Sequence, residues 1–406
     1  VTGNRTGRKI PFGTLVVTDR AKALAAEALA SGRISCGRLV REFEERFAAR
    51  VGVREAVAVG SGTDAVALAL AVLHDRGAKR GDEVILPALS FVATGNAVLQ
   101  AGFAPVFVDV RADTLDIDPA GIEAAVTDRT RAILPVHLMG KPADMDAIGD
   151  IARRHALFVV EDAAEAHGTF YKGVPAGRLA DLGAFSLYVA HIISSGEGGI
   201  VTTDDPAHAE ILRSLRSHGR ACACRECSLN VSSDGCRKRF RGTGGADVRF
   251  AFDRIGFSSK MNELEAAIGL GSLDICDDIL ARRRENQRYV LDRFDRFSPY
   301  LETIREEPWE RIGPHAVPVL VGERAPFTRD RLAAWLEDHG VETRSLFASM
   351  PTQCPGFAFL GKTEGEFPNA ERIGRDGLHF GIHQGLTPED MQYVLDVLAA
   401  FLEKHT

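Results

Sequence analysis

Between residues 83 and 203, short apolar runs rich in β-branched residues alternate with segments whose apolar positions recur every three or four residues. The runs are E-V-I-L-P-A, P-V-F-V-D-V, R-A-I-L-P-V-H, L-F-V-V-E-D, A-F-S-L-Y and G-I-V-T-T. Near-continuous apolar runs suit strands buried on both faces, and the intervening segments, such as Met145 to Ala156, suit helices laid over them. The pattern predicts a doubly wound α/β architecture with a mostly parallel sheet.

The pattern breaks at residues 218–250, a stretch rich in Arg, Cys, Gly and Ser that reads as a long irregular insertion. A long helical pattern runs from Met261 to about Phe297. Strand-like H-A-V-P-V-L-V and an amphipathic Arg331 to His339 then predict a second, smaller α+β lobe. The expected division is an arm at 1–13, a large domain at 14–285 carrying the insertion, and a small C-terminal domain at 286–406.

A formal net charge of −7 supplies no overall basic field for nucleic acid or anionic lipid, so small-molecule chemistry is expected. The most apolar stretch, Ala56 to Leu73, is interrupted by Gly60, Gly62, Thr63 and Asp64 and predicts no membrane span. The first residues lack the apolar core of a secretory leader, which makes the cytoplasm the expected compartment. Four of the seven cysteines, Cys222, Cys224, Cys227 and Cys236, fall within fifteen residues. In a reducing compartment such clustering points to metal or iron–sulfur ligation before disulfides. Tetrahedral zinc would accept the same spacing.

Three segments carry candidate chemistry. In G-S-G-T-D-A-V-A-L-A-L a glycine-bearing turn at Gly62 and Thr63 runs into a helix, whose free N–H groups make an anion site. In V-V-E-D-A-A-E-A-H-G, Asp162 ends an apolar strand at the edge where open α/β sheets place ligands; its carboxylate can pair with a protonated ring nitrogen or simply cap a loop. The third, F-S-L-Y-V-A-H-I-I-S-S-G-E-G-G, places Ser186 and His191 before a glycine-rich turn.

The third segment resembles the sugar aminotransferases of the DegT/DnrJ/EryC/StrS family, which are fold-type I vitamin B6 enzymes. There a Ser is followed five residues later by the Lys that forms a Schiff base with pyridoxal phosphate, and then by G-x-G-G. The resemblance runs from about Phe12 to the C-terminus and includes L-P-A-L-S-F-V-A-T-G-N-A-V and P-V-H-L-M-G-K-P-A-D-M-D-A-I. It implies a cofactor-binding large domain in which Gly62, Thr63 and Ser186 hold phosphate. Phe91 would stack on the ring, Asp162 would meet its nitrogen, and Glu165 would sit near its hydroxyl. It also implies a homodimer.

His191 stands at the Lys position, and Glu165 where the aminotransferases usually carry Gln. Imidazole cannot form the Schiff base. Both exchanges are similar to the family's sugar 3-dehydratases, which use pyridoxamine phosphate, and there His191 would be the catalytic base. The cysteine segment, H-G-R-A-C-A-C-R-E-C through G-C-R-K-R-F, resembles the insertion of the iron–sulfur 3-dehydrases of 3-deoxy sugars. In those, one cluster ligand follows the ring-nitrogen aspartate by two residues; here that position is Ala164, so all four clustered cysteines are expected to replace the set. Ser258 stands where the family commonly has an Asn reaching the neighbouring subunit's phosphate.

The expected activity is therefore loss of the carbon-3 hydroxyl from a 4-keto, nucleotide-linked sugar. It would use pyridoxamine 5′-phosphate and a cluster of the 2Fe–2S kind, fed by a ferredoxin, flavodoxin or flavin-dependent reductase. Alternatives left open by the residues are a redox-free dehydratase, an aminotransferase using Lys260, and a non-catalytic cofactor-binding relative with zinc in the insertion.

Overall fold

Seven strands of four or five residues, three of them buried throughout, pair into the sheet that organises the large domain. They are β1 (Glu55–Val59), β2 (Glu83–Pro87), β3 (Ala104–Val108), β4 (Thr130–Ile133), β5 (Phe158–Asp162), β6 (Leu182–Ser186) and β7 (Gly199–Thr203). The computed structural model describes residues 7–222, 224–225, 235–236, 239–240 and 247–406. The sheet order is β1-β7-β6-β5-β4-β2-β3. Neighbours from β6 through β3 are parallel, whereas β7 runs antiparallel to both β1 and β6. The expected α/β fold with a mostly parallel sheet is what forms.

The apolar stretch from Ala56 to Leu73 proves to be a strand and a helix in succession. The helix Gly62–Asp75 is buried without a break from Ala65 to Leu73, so it has no polar face for a period to reveal. For that reason the sequence pattern does not separate β1 from this helix. Helix Met145–His155 behaves as expected: Asp144 caps it, Met145, Ile148, Ile151 and Ala152 face the sheet, and Ala156 closes it in the left-handed conformation.

One element differs from expectation. The pattern from Met261 to about Phe297 is two helices, Glu263–Asp274 and Cys276–Leu291, with a break at Ile275 (φ −109°, ψ 10°). The first begins with a capping box between Asn262 and Glu265. The residue-285 division falls inside the second helix, whose buried Arg283 reaches into the C-terminal lobe. That lobe is a four-stranded antiparallel sheet, Leu301–Glu302, Ala316–Val321, Gly377–Gly381 and Thr343–Ser345 in spatial order, covered by helices that include Arg329–Asp338 and Pro388–His405.

The insertion leaves and re-enters the fold through a paired stem, with antiparallel bridges Ser217 to Ser258 and Arg220 to Phe252. Among the described residues no helix is long and apolar enough to cross a membrane.

Candidate active site

Three chain segments meet at the carboxyl ends of β5 and β6. The first is the start of helix Gly62–Asp75, capped by Ser61, whose hydroxyl accepts from Asp64 N at 3.0 Å. Its first N–H groups have no carbonyl partner within the helix. A Cβ on Gly62 would lie 2.6 Å from Ser186 Cβ, so only glycine lets the helix end approach the end of β6 this closely. A Cβ on Gly199 would likewise strike the Ser61 carbonyl. Gly62, Thr63 and Ser186 thus share one cradle of donors, of the kind that receives a phosphate.

Asp162 ends β5 and is 5% exposed. Thr94 Oγ1 donates to its Oδ2 at 2.8 Å, and Ala164 N donates to Oδ1 at 3.2 Å. Burial pushes this carboxyl above its usual value, against the pull of the two hydrogen bonds and of His137. Among the described residues, no Lys or Arg forms an ion pair with it. A buried carboxylate left with hydroxyl and amide partners is suited to a cationic group arriving from outside.

Thr94 belongs to helix Val92–Gln100, and the residue before that helix is Phe91. Thr94 N donates to Phe91 O at 3.1 Å, so the turn that delivers the hydroxyl to Asp162 also projects Phe91. Phe91 is 58% exposed, and its ring meets that of Phe347 at 5.8 Å between centroids. An exposed aromatic ring carried on the same turn as the threonine that holds a buried carboxylate is suited to stacking on a flat ring.

His191 sits in the loop between β6 and β7, its N–H bonded to Tyr188 O at 2.9 Å. The ring is partly buried; its Nδ1 is enclosed and lacks a partner. Burial, with His167 and Arg283 nearby, pushes its pKa down to about 3, so the imidazole is neutral at ordinary pH. Glu165 anchors Oε2 on Met139 N at 2.7 Å, while Oε1 lies 3.5 Å from His315 Nε2. Burial, reinforced by Asp162, raises the Glu165 carboxyl to about 8. Glu165, His191 and His315 bring one ligating atom each to within 4.8 Å of one another.

Of the seven residues expected around a cofactor, Gly62 packs on Ser186, Thr63 follows it in the first turn of the same helix, Thr94 links Phe91 to Asp162, and Glu165 approaches His191 in the cluster with His315. Sequence reasoning missed Thr94 and His315. Thr94 was findable, lying one helical turn after Phe91; His315 carries no local signal, because it arrives from the other lobe. Cys222, Cys224 and Cys236 are each partly buried in the insertion, and Cys227 lies outside the described residues.

The family model for the DegT/DnrJ/EryC1/StrS aminotransferases matches residues 17–399. A dTDP-4-dehydro-2,6-dideoxy-D-glucose 3-dehydratase from Saccharopolyspora spinosa is 35% identical over 97% of this chain and 86% of its own. A GDP-perosamine synthase from Caulobacter vibrioides is 36% identical over 90% of each. Among solved structures, a GDP-4-keto-6-deoxymannose-3-dehydratase with bound GDP-perosamine superposes with a TM-score of 0.83 at 28% identity, covering 96% of this chain and 100% of that one.

Proposed function

Because the chain belongs to the DegT/DnrJ/EryC1/StrS aminotransferase family, we propose that it removes the carbon-3 hydroxyl of a nucleotide-linked 4-keto sugar with pyridoxamine 5′-phosphate at this site. The observation that carries this is His191: a neutral imidazole with an enclosed, unpartnered nitrogen. The relatives divide between 3-dehydratases and a perosamine synthase, and a side chain unable to make a Schiff base favours the former.

The residues present fit the cofactor. Gly62, Thr63 and Ser186 would hold its phosphate, Phe91 would lie on its ring, and Asp162 would pair with its nitrogen. Bound pyridoxamine phosphate supplies an amine to condense with the keto carbon and an electron-poor ring to take up an electron pair. His191 would be the residue that holds the proton released in that chemistry, at a ring nitrogen. Neutral imidazole suits this, because it can accept that proton and return it to the departing hydroxyl, which leaves as water. Asp162 would stabilise positive charge on the ring nitrogen, and Glu165 would offer a neutral carboxyl to the ring hydroxyl.

Completing a saturated deoxy product needs two electrons. We assign their entry to a 2Fe–2S cluster on Cys222, Cys224, Cys227 and Cys236, supplied by a ferredoxin, flavodoxin or flavin-dependent reductase. The likeness of the cysteine segment to the insertion of the iron–sulfur 3-dehydrases and the affinity of thiolates for iron support that assignment, while the spacing by itself suits zinc as well. A homodimer accords with the exposure of Phe250 and Ile255, 71% and 79%, beside the insertion stem.

The test is oxygen-free purification, iron and sulfide analysis, and incubation with pyridoxamine phosphate and 4-keto sugar nucleotides, with and without a reductase. Reductase-dependent formation of a 3-deoxy sugar, with about two irons and two sulfides per chain, supports the whole proposal. Loss of hydroxyl without reductase or iron retains the dehydratase and removes the redox half. Amino-sugar formation overturns both.

A further inference from the structure

His315 has no assigned part in the chemistry above, yet among the described residues it is the one side chain from the C-terminal lobe whose ligating atom approaches both Glu165 and His191. It immediately precedes strand Ala316–Val321 and is 5% exposed. Nε2 faces Glu165 Oε1 at 3.5 Å, and the ring centroid is 5.4 Å from that of His191, with the planes tilted by 59°. Nδ1 is buried without a partner. The Phe12 ring lies edge-on to it, at 6.5 Å between centroids.

Its backbone is held as tightly as its ring. Arg283 of helix Cys276–Leu291 donates Nη1 to the His315 carbonyl at 3.0 Å and to the Pro314 carbonyl at 3.3 Å. Arg283 Nε donates to Gln384 Oε1 at 2.9 Å. The guanidinium thus ties the start of this strand to the lobe around it. The groups facing the His315 ring are Glu165 and His191 from the large domain, Arg283 and His167 from elements behind them, and His379 from the neighbouring strand. Glu165 is the only acid among these five. Burial and the other four disfavour a charge on His315, so the proton of the pair stays on the carboxyl and the neutral imidazole faces it.

We propose that His315 is a positioning residue: it holds Oε1 of Glu165 through Nε2 and buttresses the His191 ring, so that the C-terminal lobe fixes the distance between the acid and the base. Glu165 is otherwise fixed by one oxygen, at Met139 N. Without His315 the carboxyl can rotate about that anchor and the His191 ring loses its wall. The pairing itself does not depend on the dehydratase assignment; only its consequence for turnover rests on that assignment.

Two measurements separate these levels. In cofactor-free protein labelled with ring ¹⁵N histidine, the His315 signals, identified by their loss in His315→Gln, are expected to move by several ppm in Glu165→Gln. Unmoved signals would overturn the pair, whatever reaction the enzyme performs. In turnover with pyridoxamine phosphate, His315→Phe keeps the ring volume and is expected to lower kcat at least ~10-fold with KM within ~3-fold, whereas His315→Gln restores most of the loss. Equal behaviour of the Phe and Gln variants, or a parallel fall in melting temperature that accounts for the loss, would reduce His315 to a packing residue.

Discussion

Thr94 Oγ1 lies 2.8 Å from Asp162 Oδ2, and the same hydroxyl is 2.8 Å from Ser90 Oγ, so a two-hydroxyl chain ends on the buried carboxyl. Replacing Thr94 with Val keeps the shape and deletes the donor. The expected cost is about 1–3 kcal/mol in urea unfolding, with about tenfold weaker binding of pyridoxamine phosphate in a spectral titration. Unchanged affinity would show that Asp162 does not face the ring nitrogen.

Phe91 offers the opposite balance. With its ring mostly in solvent, Phe91→Ala is expected to change unfolding free energy by less than about 0.5 kcal/mol while weakening the cofactor several-fold. A stability loss without an affinity loss would make it a packing residue.

Gly62→Ala would normally favour a helix by about 1 kcal/mol. Here the new methyl meets Ser186 Cβ at 2.6 Å, so net destabilisation of about 1–3 kcal/mol is expected, together with loss of inorganic phosphate binding. Calorimetry on the variant with and without phosphate reads both.

The buried acid and the buried imidazoles leave opposite marks on the pH dependence of cofactor-free protein. Glu165 titrates at about 8 when folded and near 4.5 when unfolded, so the folded state binds the extra proton between these values and stability falls as pH rises through them. His191, lowered to about 3, and His315, also lowered, remain neutral when folded while the unfolded chain protonates below about 6.5. Their contribution is lost as pH falls below that point. From pH 6.5 to 8 the acid acts without opposition from these two, so stability should decline there, and Glu165→Gln should flatten the decline. Urea unfolding at half-unit pH steps checks it, and an unchanged slope in the variant would remove Glu165 as its source.

His191→Lys supplies an amine in the same loop. The variant is expected to trap pyridoxal phosphate in a borohydride-reducible link that the natural side chain cannot make. Absence of the link by mass spectrometry would mean that position 191 does not reach the cofactor.

Much of the large domain was legible because its strands are apolar on both faces and its covering helices are amphipathic. The six runs from E-V-I-L-P-A to G-I-V-T-T all contribute strands. What escaped was β1, hidden because the helix after it is equally apolar, and the break at Ile275, which no Gly or Pro marks. In the site, motifs local in sequence located the cradle, Asp162 and His191. His315 lies 124 residues beyond His191, and only the folding of one lobe against the other brings them together.

The connection from β6 to β7 is held by its own backbone and serines: Leu187 N to Gly198 O, Ser195 N to Leu187 O, and Ser194 Oγ to Leu187 O. None of these bonds uses the side chain at position 191. The loop backbone is therefore framed independently of that side chain, and an exchange there acts on the chemistry more directly than on the path of the chain. A family built on this loop can diverge in chemistry faster than it diverges in shape.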